Sequence, residues 1–340
     1  MRPMRVMLDT NLWSSIGDEQ TVDKFNTAMA SRNIEIVTPP SVLVEVARLP
    51  VAEARQRIVH ALTTGRRYRL RTEAALESAE LIREAKRVRP QWLRQMPDTG
   101  RTNSLDTFWT KRVWREAADN STRIHEYQVA EHEVASDYLV SHQKEQRREI
   151  LRTNFEVRPL TAIKAERGPD TPEPYLCGWS GEPVEAWRII CRDIYWYNLL
   201  IVGGRAVFTR EDSTFADWVG AYLNLSVPRS DLADFTRFWT HDVELLNMPR
   251  NWLRWAVHLV QTTQRIGPGN PADEQHSTYL LDSDIFISAD ARYITALQAV
   301  HADAPFDFAS PILASGDRNV PILDRIIGAL DGAQIAQVVT

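Results

Sequence analysis

The chain has 340 residues, 44% of them hydrophobic and 25% charged, with a formal net charge of −5. That balance belongs to a soluble globular protein with length for about two domains, and it excludes a uniformly basic nucleic-acid binder. No apolar run approaches the width of a bilayer (residues 196–202 come nearest), the start of the chain lacks a signal-peptide pattern, and only Cys177 and Cys191 are present. A disulfide framework or cysteine zinc site is therefore not expected, and a cytoplasmic location is.

The first element is Arg5-Val6-Met7-Leu8-Asp9-Thr10-Asn11-Leu12-Trp13. Three apolar residues running into a carboxylate predict a buried parallel strand with Asp9 at its carboxyl end, where open α/β sheets hold ligands. A carboxylate there must be paired, hydrogen-bonded or hold a cation. The plainer alternative is that Asp9 or Asn11 caps the next helix. Residues 19–31 place Val22, Phe25 and Met29 at helical spacing, Asn33 makes a turn, and 34–37 reads as a second strand. Pro39-Pro40 opens a helix over 41–49 that is apolar almost all round, yet Glu45 lies in its middle and requires a partner. A helix from Pro50 to about Leu62 ends at Gly65, residues 67–71 (RYRLR) read as a third strand with Tyr68 and Leu70 facing the core, and 73–88 forms a helix burying Ala74, Leu76, Ala79, Leu81 and Ile82.

From Pro90 to about Ile266 strand-like runs are few and ten of the eleven tryptophans occur. Helices are expected over 105–119, 122–152, 183–202, 212–224, 230–246 and 250–264, with a loose stretch at 166–181 and a break at 203–204. This reads as an all-α insertion, residues 90–265, with its own core. After a turn at 267–271 the α/β pattern returns: a short helix over 272–281 with Asp273 near its start, a strand at 284–288 followed by Asp290, helices at 291–300 and 319–330, and a final strand at 335–339. Residues 1–89 and 266–340 together predict an α/β/α sandwich around a central parallel sheet.

Four carboxylates stand out by position: Asp9 and Asp290 after strands, Glu45 within an apolar helix, Asp273 in a first helical turn. Asp273 has a plainer reading as a complement to its helix dipole, with Asp282 or Asp284 supplying the carboxylate instead, and Asp290 as an N-cap. Clustered, they repel unless a hard divalent cation neutralises them, and oxygen ligands suit Mg²⁺ or Mn²⁺. The order of Val6-Met7-Leu8-Asp9-Thr10-Asn11, Val42-Leu43-Val44-Glu45, Asp273-Glu274-Gln275-His276 and Asp284-Ile285-Phe286-Ile287-Ser288-Ala289-Asp290 resembles the PIN-domain family of metal-dependent nucleases. The resemblance covers residues 1 to about 88 and about 266 to 340. It implies a PIN-like fold and an acidic Mg²⁺ or Mn²⁺ site on Asp9, Glu45, Asp273 and Asp290, with Asn11 and Ser288 supporting them by hydrogen bonds. It also implies endoribonuclease activity, as in many bacterial toxins and RNA-processing enzymes of that family, so a toxin or antiviral-defence role is one expectation. The insertion departs from the family's pattern. His276 shares a helix face with Asp273 and reads as a supporting or packing residue.

The charge is unevenly spread. Residues 66–115 hold thirteen Lys/Arg against six Asp/Glu. Interleaved with Tyr68, Trp92, Phe108, Trp109 and Trp114, cations such as Arg66, Arg67, Lys111 and Arg112 are candidates to contact an RNA backbone, tRNA or another structured RNA included. The competing reading pairs Arg83, Lys86 and Arg87 with Glu80 and Glu84 on a solvated helix face and puts the tryptophans in a core. His125 and His132 read as part of a wet, charged helix face rather than a second metal site. There is no phosphate loop of the GxxxxGK[ST] kind and no GxSxG elbow. Besides a nuclease, the sequence is compatible with a non-catalytic PIN-like module whose insertion docks a protein partner or antitoxin, with a structure-specific DNA nuclease, and with a homo-oligomer.

Overall fold

The computed structural model describes residues 2–153, 155–168, 177–201, 215–264, 270–316 and 319–339. At its centre is a five-stranded, all-parallel sheet in the order β3-β2-β1-β6-β7. Its strands are β1 (Met4–Leu8), β2 (Ile34–Thr38), β3 (Arg67–Arg69), β6 (Ile285–Ser288) and β7 (Ser310–Leu313), while β4 (Lys164–Ala165) and β5 (Val184–Glu185) form a separate antiparallel ribbon. The described helices are α1 (Thr10–Asp18), α2 (Val22–Ser31), α3 (Pro40–Ala47), α4 (Ala52–Thr63), α5 (Glu73–Val88), α6 (Gly100–Thr107), α7 (Val113–Asp119), α8 (Ser121–Thr153), α9 (Ala186–Tyr195), α10 (Phe215–Gly220), α11 (Ser226–Ser230), α12 (Leu232–Arg237), α13 (Pro249–Thr262), α14 (Asn270–Ser277), α15 (Ala291–Asp303) and α16 (Ile322–Val339). None of them is long and apolar enough to cross a membrane.

Strand alternation sorts the core into two layers. Val6, Leu8, Ile36, Ile285 and Ile287 face a cluster with Leu12, Trp13, Phe25, Val42, Leu62, Trp114 and Ile326. Met7, Val37 and Phe286 face the other cluster, with Leu81, Trp187, Tyr195, Trp239, Trp252 and Leu297. The tryptophan-rich segment therefore does not close on a core of its own. Its aromatic interior is continuous with the sheet's second face, because that face is apolar and must be covered. The helices over 105–119, 183–202 and 230–246 also differ from expectation, each being interrupted by or ending in a π-helical turn, at Phe108–Arg112, Trp196–Ile201 and Phe238–Asp242.

Other expectations need correction. Residues 335–339 continue helix α16 and form no strand; the fifth strand is β7, paired in parallel with β6. Its four residues, Ser-Pro-Ile-Leu, show no alternation, and Pro311 is tolerated because β7 is an edge. A separate helix α1 precedes α2, the two parted by Gln20 at φ 53°. Helix α1 crosses α4 so closely that a Cβ on Gly17 would stand 3.1 Å from the Arg57 backbone. Gly65 ends the turn after α4 at φ 87°, as expected of the residue that breaks that helix. The 203–204 break and residues 267–269 of the expected turn lie outside the described residues.

The third strand is shorter than read, and Tyr68 faces outward with the Arg5 guanidinium 4.0 Å from its ring centroid. Arg67 lies over Trp13 at 5.2 Å, Arg69 over Trp114 at 5.3 Å and Arg71 over Trp218 at 5.4 Å. These charged residues along an edge discourage pairing with another strand.

Helix α5 is expected to bury Ala74, Leu76, Ala79, Leu81 and Ile82 and to solvate Glu80 and Glu84. Instead Ala79 is exposed, and Glu77, Glu80 and Glu84 are buried. Arg254 binds Glu77 at 2.6 Å, Asn251 Nδ2 donates to Glu80 at 2.9 Å with Arg250 beside it, and Arg87 binds Glu84 at 2.6 Å. Burial pushes Glu77 and Glu80 up to about 7 against the pull of those arginines.

Farther along α13, His258 Nδ1 is 2.7 Å from Glu274 and Nε2 is 2.8 Å from Gln146 Oε1. Burial disfavours the charged ring, but the hydrogen bond and charge of Glu274 outweigh it and raise His258 above its ordinary value. The stabilisation is thus complete below the unfolded pKa of about 6.5 and lost as pH rises through the higher folded value. Urea unfolding at several pH values should show His258→Gln losing most stability relative to wild type under mildly acidic conditions. The gap should narrow as pH rises, and a gap widening with alkalinity would contradict this account.

Candidate metal centre

Chain order along the sheet reverses beside β1: β2 and β3 lie to one side, β6 and β7 to the other. Such a switch point opens a crevice at the strands' carboxyl ends. Asp9 follows β1 there, and its backbone N–H donates to Ile287 O at 2.9 Å. Asp290 follows β6 two residues after Ser288. Over the same edge, α14 packs against α3, bringing Asp273 and His276 toward Glu45.

Each acid is held by short local contacts. Asp9 is buried and caps α1, its Oδ1 accepting from Thr10 N at 2.7 Å. Its Oδ2 accepts from Asn11 Nδ2 at 2.6 Å and from Ser288 Oγ at 2.5 Å. Asn11 also ties the two strand ends together, since its Oδ1 accepts from Ala289 N at 3.2 Å. Thr10 Oγ1 donates to Glu45 Oε2 at 2.5 Å. Gln261 Nε2 donates to Asp273 Oδ2 at 2.7 Å, and Tyr293 donates from its hydroxyl to the Asp273 carbonyl at 2.8 Å. Asp290 caps α15 with Oδ1, accepting from Arg292 N at 2.8 Å and Tyr293 N at 3.1 Å.

Capping and clustering thus coexist: Asp9 and Asp290 start helices and still share one edge with the other two acids. Burial is the main force raising the Asp9 carboxyl; His276 and the Ser288 hydrogen bond oppose it, and Glu45 adds to it. Asp273 is raised well above the ordinary carboxylate range by burial first, then by the charges of Asp9, Glu45 and Asp290, against the Gln261 hydrogen bond. Asp273 is therefore within electrostatic reach of the other three acids, and Asp9 of Glu45. Among the described residues, Asp9, Asp273 and Asp290 make no salt bridge to lysine or arginine. Among the described residues no three or more His, Cys, Asp or Glu side chains stand close enough together to hold a metal ion as they are placed.

The supporting roles expected of Asn11 and Ser288 match their hydrogen bonds to Asp9. Arg66, Arg67, Lys111 and Arg112 make no hydrogen bond or ion pair with the acids among the described residues. Arg67 is held by aromatic rings and donates to Ala61 O at 3.0 Å, and burial pushes its pKa down to about 10. Arg112 pairs with Glu116 at 3.3 Å, while Arg66 and Lys111 are exposed. Much of the basic stretch is neutralised by acids elsewhere: Arg89 binds Asp234 and Asp242, and Arg101 binds Asp217. Trp92, Phe108 and Trp114 are buried and offer no stacking platform. His125 Nδ1 is 2.8 Å from Ala47 O, an engagement with the end of α3. His132 lies where side chains are outside the described residues.

No family model, curated protein or solved structure matches the chain.

Sequence reading missed Thr10 and Gln261. Thr10 lies inside the motif that marked Asp9, and its hydroxyl was one residue from notice. Gln261 belongs to a polar stripe on α13, Arg250, Asn251, Arg254, His258 and Gln261, that runs along an otherwise apolar, tryptophan-rich helix. Polar residues recurring three or four apart on a buried helix are a visible signal of buried partners.

Proposed function

We propose that the chain is a divalent-metal-dependent nuclease of PIN-like fold that hydrolyses RNA phosphodiester bonds, with Asp9, Glu45, Asp273 and Asp290 holding Mg²⁺ or Mn²⁺. The observation that carries this is a contrast within one molecule. The buried acids of α5 are each given an arginine, whereas buried Asp9 and half-buried Asp273 stand among other carboxylates with no arginine or lysine partner among the described residues. A divalent cation is the counter-charge that would make this edge tolerable, and all-oxygen donors of this kind suit Mg²⁺ or Mn²⁺. When bound, such an ion lowers the pKa of water and stabilises charge developing on a phosphate.

The chain's own residues orient the acids. Asn11 and Ser288 hold one oxygen of Asp9, the Thr10 backbone N–H holds the other, and the Thr10 hydroxyl steadies Glu45. Gln261 aims Asp273. Phosphate, rather than the sugar, is what this arrangement recognises, so RNA rests on the motif resemblance and DNA is the alternative substrate.

Incubation with cellular RNA and, separately, with single- and double-stranded DNA, in Mn²⁺ and in EDTA, tests the reading. RNA cleavage with Mn²⁺ that stops in EDTA is expected. Cleavage of DNA alone would change the substrate, and no cleavage together with no Mn²⁺ binding by calorimetry would favour the protein-docking module. Gln261→Leu should lower Mn²⁺ affinity about 10-fold or more, as loss of a group orienting a ligand typically does. The fold should persist, because Gln261 Oε1 has no donor to lose. An unchanged Mn²⁺ titration would detach Gln261 from the centre.

A further inference from the structure

His276 is 1% exposed, and neither of its ring nitrogens has a hydrogen-bond partner among the described residues. A packing role does not account for this, since a buried imidazole ordinarily finds partners for its nitrogens. Its charge opposes the raising of Asp9, yet the ring hydrogen-bonds neither Asp9 nor Glu45. Its Nε2 is 3.7 Å from Glu45 Oε2, too far for a hydrogen bond. Two donors on one cation at about 2.1 Å each stand roughly 3–4 Å apart, so this spacing is what a shared ion would produce. The ring is also within electrostatic reach of Asp9, and it sits on α14 three residues after Asp273, on the same helix face.

We propose that His276 supplies an imidazole nitrogen to the cation held by Asp9, Glu45, Asp273 and Asp290, so that the centre selects Mn²⁺ and neighbouring transition metals over Mg²⁺. This rests on the metal reading above. Mg²⁺ prefers oxygen donors and gives up water reluctantly, whereas imidazole favours first-row transition ions. His258, the next ring along this side of the molecule, has both nitrogens committed to Glu274 and Gln146 and does not compete for the role.

The test uses the full chain and the metal alone. Mn²⁺ binding is followed by the loss of the free-ion electron paramagnetic resonance signal, with Mg²⁺ as competitor. Pulsed measurements on the loaded protein then look for ¹⁴N coupling to Mn²⁺. Expected are a directly bound imidazole nitrogen in the wild type, its loss in His276→Gln, and an Mn²⁺ affinity about 10- to 100-fold weaker in that variant with Mg²⁺ affinity changed less than about threefold. Mn²⁺ bound without ¹⁴N coupling would overturn the role of His276 and leave the acidic centre standing. Absence of Mn²⁺ binding by the wild type would remove both. The wild-type spectrum alone decides the matter if His276→Gln does not fold.

Discussion

If the chain is the proposed metal-dependent nuclease, Asp9→Asn should abolish cleavage, a loss of at least about 10³-fold, because the several kcal/mol that a bound cation contributes to a phosphoryl transition state are forfeited. The same substitution leaves the metal-free protein folded, its melting temperature within about 5 °C of wild type. Two local effects offset each other. Asparagine keeps an oxygen for the Thr10 backbone N–H, but presents an amide where Asn11 and Ser288 expect an acceptor. Against that loss, a buried carboxylate crowded by Glu45 is removed. Mn²⁺ should raise the wild-type melting temperature through linkage and leave the variant's unmoved. Assaying cleavage and melting on one preparation separates loss of the ion from loss of the fold. Undiminished cleavage by Asp9→Asn would end the nuclease proposal.

Arg254→Met should be the most destabilising single change in the α5–α13 interface. Its partner Glu77 is 2% exposed, and removing one half of a buried ion pair costs about 3–5 kcal/mol. The pH dependence carries a definite sign. Glu77 already titrates near 7 in the folded chain because burial outweighs Arg254, and without that arginine it moves higher still. A carboxyl raised in the native state favours folding where it is protonated, so the variant's deficit should be smallest near pH 5 and grow as pH rises past about 7. Adding Glu77→Gln to Arg254→Met should recover much of the loss, because no charge is then left buried. Equilibrium urea unfolding of both variants and the double variant, across pH, closes the cycle. A deficit independent of pH would mean that Arg254 acts through packing alone.

The two interfaces explain why some of this molecule was readable from its residues and some was not. Val6-Met7-Leu8-Asp9 and Ile285-Phe286-Ile287-Ser288 declare strands because short apolar runs end abruptly in polar residues, and the apolar run of each lies in a strand. Pro39-Pro40 declares the start of α3, and Glu45 stands out against the apolar residues around it. Residues 335–339 mislead for the opposite reason. Five mostly apolar residues suit either a strand or the end of a helix, and here α16 simply continues. The acids of α5 mislead in another way. Glu77, Glu80 and Glu84 have the spacing of a solvated stripe, and their burial is made tolerable for Glu77 and Glu80 by Arg254, Arg250 and Asn251 of α13, more than 150 residues later, and for Glu84 by Arg87 and Asn247.

By itself the sequence determined the local chemistry: which runs become strands, where helices begin, and which carboxylates fall at strand ends or inside apolar helices. Those features depend on neighbours a few residues away, which is the range over which backbone preference and side-chain periodicity act. Tertiary structure alone decided that β6 lies beside β1, that the tryptophan-rich segment covers the sheet's second face, and that Gln261 and His276 reach the acids. Each of those outcomes depends on burying apolar faces and satisfying polar groups across the whole chain, and no short stretch carries that information.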